Sequence, residues 1–190
     1  TAPSASTASG TIIRMIASGT VTSGYAVCAT GTLQVKHANA NAGTSLTNPA
    51  IGIAVSNASS GQGVDVLVHG IAYWGIFPTF TVGSQVFLDD LAGRLSNTAP
   101  ATTGDMVQVM GIALNNASIN GGVDVLIHGI AYFTLFPTFT VGSQVFVDDL
   151  SGLLSNTAPS AAGDMVQVMG ICIATDKVLI NPSSDFMIRS

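Results

Sequence analysis

The sequence predicts an all-β protein built from tandem small antiparallel β-barrel or sandwich modules, and three observations carry that prediction. Gly52 to Met110 recurs without a gap as Gly111 to Met169, a step of 59 residues with about three-quarters of aligned positions identical, as in a duplicated structural unit. Runs rich in Val, Ile, Phe and Tyr (TIIRMI, GYAVCA, TLQVKH, AIGIAV, VDVLVHGIAYW, VGSQVFLD, DMVQVMGIAL) alternate with clusters of Gly, Asn, Asp and Pro. No window keeps an apolar i, i+3, i+4, i+7 pattern for three turns without Gly or Pro, so no long helix is expected.

Residues 1–10, TAPSASTASG, lack apolar periodicity and are expected to be disordered or to form an arm ordered by a neighbour. With the strand-like TIIRMI they make up an arm and leading strand, residues 1–19. The repeat reaches beyond its two full copies. One step before Gly83 lies Gly24, where VTSGYAV resembles FTVGSQV, and GICIATDKVLINP follows GIALNNASINGGVDVLIHG with a shorter turn. The chain is therefore read as three units, 20–70, 79–129 and a truncated 138–182, with a tail at 183–190. Each unit runs TVxxG, hairpin, GIA strand, then a VxVLI-type strand.

Within a unit, VFLDDLAGRL and VFVDDLSGLL read as hairpins. Asp starts the turn through its side chain, and Gly93 or Gly152 supplies positive φ where the strands resume. Gly83 and Gly142 precede the hairpin strand at one repeat position, with Gly24 in the same place, and are expected to need positive φ or close backbone approach. The SNTAP connections are polar and drift between copies. In VDVLIHGIAYF a period of two sends Val123, Val125, Ile127 and Ala131 one way, and Asp124, Leu126, His128, Ile130 and Tyr132 the other. Both faces are largely apolar, so both should be covered, one by the barrel's own core and one by a sibling barrel or another subunit.

Hydrophobic residues make up 47% of the 190 and charged ones 8%, against a usual charged share of roughly 25%. All ten acids are Asp, and the bases are Arg14, Lys36, Arg94, Lys177 and Arg189. A surface so poor in charge suits a chain that lives inside an assembly. A net charge of −5 with scattered bases gives no footprint for nucleic acid. No apolar run approaches the ~20 residues that span a bilayer, and no basic-then-apolar start suggests a signal peptide. Cys28 and Cys172 read as two small buried hydrophobes, with a disulfide between them as the alternative.

The polar constellations point away from catalysis. Asp65 precedes His69, and Asp124 precedes His128, on one strand face, but four residues of strand span ~13 Å, too far for a hydrogen bond along the strand. Both histidines are read as structural. Asp89–Asp90 and Asp148–Asp149 lack the alternating oxygen ligands of a calcium loop and are read as turn residues. No phosphate-loop, dinucleotide, CxxC, HExxH or GxSxG pattern occurs. No catalytic, cofactor or metal residue is assigned, and no enzyme is expected. Trp74, Phe77, Phe80, Phe133, Phe136 and Phe139 are read as core or interface anchors, with stacking on sugars or bases as the alternative.

The pattern GIAxxxAxxGxxVDVLxxG, then TVGxxVFxDxxGxLSNTAPxxxGDxVQVxG and a closing VLINPS, resembles the β-barrel modules of tailed-phage virion proteins, above all capsid decoration or cement proteins. The resemblance covers about residues 20–183. It implies a non-enzymatic structural protein on the capsid exterior, assembled in the host cytoplasm, with the major capsid protein as partner and no catalytic residues. It also implies a homotrimer, because cement proteins commonly sit on three-fold positions. The runner-up is a tail, fibre or spike component with tail or fibre proteins as partners. A carbohydrate-binding module using Trp74 and the Phe-Pro-Thr-Phe aromatics is the third reading. Neither nucleic acid nor membrane is an expected partner.

Overall fold

The structure, a computed structural model, describes residues 8–41, 49–74, 78–102, 105–119, 121–132, 139–148, 154–162, 164–183 and 186–188. Among them there are strands and no helix, and the sheet includes a five-stranded barrel with further strands attached. The strands are β1 (Ala8–Ala17), β2 (Ala26–Gly31), β3 (Gln34–His37), β4 (Ala50–Ala54), β5 (Gly63–Trp74), β6 (Gln85–Leu88) and β7 (Leu95–Ser96). There follow β8 (Val109–Ala113), β9 (Val123–Tyr132), β10 (Gln144–Val147), β11 (Leu154–Ser155), β12 (Met165–Ala174), β13 (Lys177–Ile180) and β14 (Phe186–Ile188).

One set of antiparallel pairings recurs three times. β2 pairs with β3 and β4, and β4 with β5. β6 pairs with β7 and β8, and β8 with β9. β10 pairs with β11 and β12, and β12 with β13. The register recurs too: Ala26 faces Ile53, Gln85 faces Ile112 and Gln144 faces Ile171, with an irregularity just after Val27, Val86 and Val145. Alternation and turn chemistry set the register, so the two near-identical copies pair alike. The β2–β3 hairpin of the first unit is instead shifted by one residue, Cys28 facing Lys36 where Phe87 faces Ser96 and Phe146 faces Ser155. The GIA glycine is fixed by this geometry: a Cβ on Gly52, Gly111 or Gly170 would meet the carbonyl oxygen of Leu67, Leu126 or Leu179.

The long strands join the units. Gly70 of β5 faces His128 of β9, then Ile71 faces Leu126, Tyr73 faces Asp124 and Trp74 faces Val123. Moved back by 59, these are the pairs β1 makes with β5: Thr11 with His69, Ile12 with Leu67, Arg14 with Asp65 and Met15 with Val64, with the irregularity in the same place. β1 therefore stands to the first unit as β5 stands to the second. The continuation of β9, Gly129–Tyr132, pairs with β13. Unit edges expected at residues 70 and 129 fall inside β5 and β9, because these strands cross from one unit to the next.

The cores are shared in the same way. One cluster combines Ala26, Cys28, Ile53 and Leu67 of the first unit with Ala72, Leu88, Leu95, Met110 and Ile127 at the second. The next combines Phe87, Val109, Ile112 and Leu126 with Ala131, Val147, Leu154, Met169 and Ile180. Each unit thus has a trailing face (Ile53, Ile112) that closes against the leading face of the unit after it (Met110, Met169). A third cluster, with Ala17, Val21, Val27, Val64 and Val66, fills the first unit beside β1.

Several expectations need correcting. The leading strand starts at Ala8, so the last three residues of the expected arm are paired with β5. Part of the expected tail, Phe186–Ile188, pairs with Met165–Gln167 of β12. On β9, Val123, Val125, Ile127 and Ala131 are all buried, but not on one face. The first three pack in one shared cluster and Ala131 packs with Leu126 in the other, because β9 carries an extra residue opposite Gly70–Ile71 and the period of two slips there. Ile130 and Tyr132 are exposed. Cys28 and Cys172 are both buried and free, and they sit in different clusters, so the disulfide alternative does not hold.

Candidate functional site

The contact between successive units is the most elaborate feature of the molecule. Asp89 opens the β6–β7 turn by accepting the Leu91 N–H on Oδ1 (3.2 Å), and Gly93 ends it at φ 79°. That turn docks on the first unit: the Gly93 carbonyl accepts from Ala26 N–H (2.8 Å), and Gly93 N–H donates to Ala38 O (2.6 Å). A Cβ at Gly93 would collide with the Tyr25 ring, so glycine is required for space as well as for φ. Nearby, Gln108 behaves like an extra strand. Its Oε1 accepts from Ala50 N–H (2.8 Å) and its Nε2 donates to Ala50 O (2.9 Å). Backbone groups at the seam, which would be costly to bury unpaired, are thereby satisfied.

The histidines meet at the same seam. The His69 and His128 rings stack with centroids 4.3 Å apart and planes 23° apart. They line a pocket of about 160 Å³ with Gln108, Ile127 and Asn181. Asn181 holds the third histidine place, since the β12–β13 connection is six residues shorter than the β8–β9 one. Burial, then the neighbouring His69, push the His128 imidazole below its ordinary value. The Asp65 carboxylate is engaged elsewhere, accepting both bonds of an Arg14 contact (2.9 and 3.1 Å) directly across the strand pair. The arrangement packs and aligns strands, and no nucleophile joins it among the described residues.

The remaining sequence-derived residues fall as follows. Phe80 and Phe139 are buried, one in each of the two shared clusters, and Phe80 also bridges to Ala117. Trp74 ends β5 opposite Val123. Phe77, Phe133, Phe136 and Gly152 lie outside the described residues. Gly24, Gly83 and Gly142 have φ of 102°, 84° and 83°, each in the turn that precedes the hairpin strand. Sequence reasoning missed Gln108, whose side chain replaces a strand; a glutamine inside an apolar VQVMG run was the available signal.

The two outermost faces of the array are open. On the trailing face of the third unit, Gln144 and Ile171 are exposed and Phe146, Val168 and Leu179 are half-buried, although Gln85, Ile112, Phe87, Val109 and Leu126 are buried in the second unit. On the leading face of the first unit, Ile13 is 40% and Ile51 38% exposed. Their equivalents Ala72 and Met110, then Ala131 and Met169, are buried. Neither a protein-family model nor a curated protein matches the chain.

Proposed function

We propose that this chain is a structural virion protein, a capsid decoration or cement protein that binds the outer capsid surface as a homotrimer and contacts the major capsid protein. The observation that carries the reading is the pair of open apolar faces, set on hydrogen-bonded strands of a chain with only 8% charged residues. Apolar surface of this kind is uncommon on soluble monomers and marks sites of protein contact. The likeness of the repeat to virion β-barrel modules supports the same reading.

The action is mechanical. A rigid β-module laid across the junction of two capsid subunits buries apolar area on both, at roughly 25 cal/mol per Å², and an interface of about 1,600 Å² is of ordinary size for a specific complex. Scarcity of charge makes such binding insensitive to salt, because apolar burial and shape supply it rather than ion pairs.

Cryo-electron microscopy of particles of the virus encoding this chain tests the reading. Density of this fold over the capsid lattice axes is expected. Density at the tail vertex would instead assign the chain to the adsorption apparatus, and its absence from the particle would remove the virion role.

A further inference from the structure

We infer that the open trailing face of the third unit and the open leading face of the first are two halves of one contact, by which a second copy of this chain docks head to tail. The inference rests on the self-association in the reading above and is independent of its capsid part.

The trailing face of the second unit consists of Gln85, Phe87, Val109, Ile112 and Leu126, all buried against the third unit. The third unit repeats it without change as Gln144, Phe146, Val168, Ile171 and Leu179. End units of a repeat array ordinarily carry a polar outer face. Here the outer face keeps all five of these residues of a buried one, so it is suited to receive a leading face of the same kind.

In the interior contact, one long strand serves both units: Val64–Leu67 stays with its own sheet while Gly70–Trp74 crosses to pair with the next. In the third unit β13 supplies positions equivalent to 65–68. β1 supplies positions equivalent to 67–76 and already pairs with the first unit in the crossing register. A second copy therefore brings the half-strand that complements β13, and no strand has to be displaced.

Ile13 and Ile51 on the leading face would enter the surroundings that bury Ala72 and Met110 in the second unit. The place of Leu95 and Leu154, which face Leu88 and Val147, is held in the first unit by Val35, which faces Ala29 and is buried in that unit's own cluster. A head-to-tail contact is heterologous, so it closes a ring or continues as a filament. Closure at three copies would give the trimer.

The experiment measures mass by light scattering for the wild type, Ile171→Asp and Ile13→Asp, each alone, and for the two variants mixed. Both positions are exposed in the single chain, and unchanged melting of each variant at low concentration checks its fold. Gln144→Lys and Ala29→Asp, also at exposed positions, serve as a second pair. The wild type should exceed the single-chain 19.2 kDa, each variant alone should return to it, and the mixture should reach twice it, because one intact face of each kind remains. A variant that keeps the wild-type mass, or a mixture that stays at single-chain mass, overturns the head-to-tail contact while leaving a trimer of other geometry standing. A wild type of single-chain mass sinks both.

Discussion

Ile112 and Ile171 occupy the same position in successive repeats and make the same cross-strand pair, with Gln85 and Gln144 respectively, yet Ile112 is fully buried and Ile171 is 48% exposed. The strand, the register and the neighbours within the unit are alike. What differs is the unit that follows. Burial in this protein is thus a property of the contact between units.

The turn glycines give the first prediction. At Gly142 (φ 83°) a Cβ would meet nothing within 4 Å, so Gly142→Ala should cost only the backbone penalty of a left-handed residue, about 1–2 kcal/mol. Gly142→Val should cost more, since branching adds strain at positive φ. Gly93→Ala should exceed Gly142→Ala because it also strikes the Tyr25 ring. Ser160→Ala, at an exposed place in a drifting connection, should be nearly silent. Equal urea midpoints for the glycine and serine variants would contradict this.

Gln108 gives the second. Replacing it with Ala strands the N–H and C=O of Ala50, which the glutamine amide now satisfies. A loss of about 1–3 kcal/mol is expected, the usual cost of orphaned polar groups at a half-buried site. A variant as stable as the wild type would show that water replaces the amide without penalty.

Acid should destabilise the fold. His37 Nε2 accepts the Thr22 N–H (2.9 Å), a bond that only the unprotonated nitrogen can make, and burial pushes this imidazole below its ordinary 6.5. Burial, then His69, move His128 in the same direction. The unfolded chain therefore binds protons more readily than the folded one. The stabilisation is full above pH 6.5 and falls as pH drops from 6.5 through the lowered values. Urea midpoints should decline from pH 7.5 to pH 5, and less so in His37→Gln, whose amide oxygen can still accept from Thr22. A midpoint that stays level or rises on acidification would refute the assignment.

Both thiols should be silent in the native state. Cys28 and Cys172 are buried and free, and burial raises the Cys28 thiol above its ordinary value, leaving little thiolate. A disulfide-exchange reagent should titrate no thiol in the folded protein and two after unfolding. Fast native labelling would mean that the shared clusters open readily.

Much of the fold was legible because it repeats. A second near-identical copy of VGSQVF and MGIA has to take the same pairing as the first, and the Asp89 turn and the positions of Gly83 and Gly142 follow from local chemistry. The role of β1 was not legible: TIIRMI shares almost nothing with the GIAYW segment whose place it takes, and only backbone register reveals the equivalence. Nor could alternation along VDVLIHGIAYF tell that β9 carries an extra residue opposite Gly70–Ile71, so that Ala131 packs with Leu126 and not with Val123, Val125 and Ile127. The His69–His128 stack is likewise a cross-strand event between units.

The claim that each unit closes its neighbour's core is tested most directly by one set of substitutions at a single repeat position. Ile53→Ala, Ile112→Ala and Ile171→Ala remove the same atoms from the same register, with the first two side chains fully buried. Equilibrium unfolding should be measured on dilute single chains, so that no second copy covers the third unit. Ile53→Ala and Ile112→Ala should each cost about 2–5 kcal/mol, the range for emptying a buried site. Ile171→Ala should cost about 1 kcal/mol or less, as at surface positions. Three equal losses would contradict the account, since they would mean that each unit buries its isoleucine without help from the next.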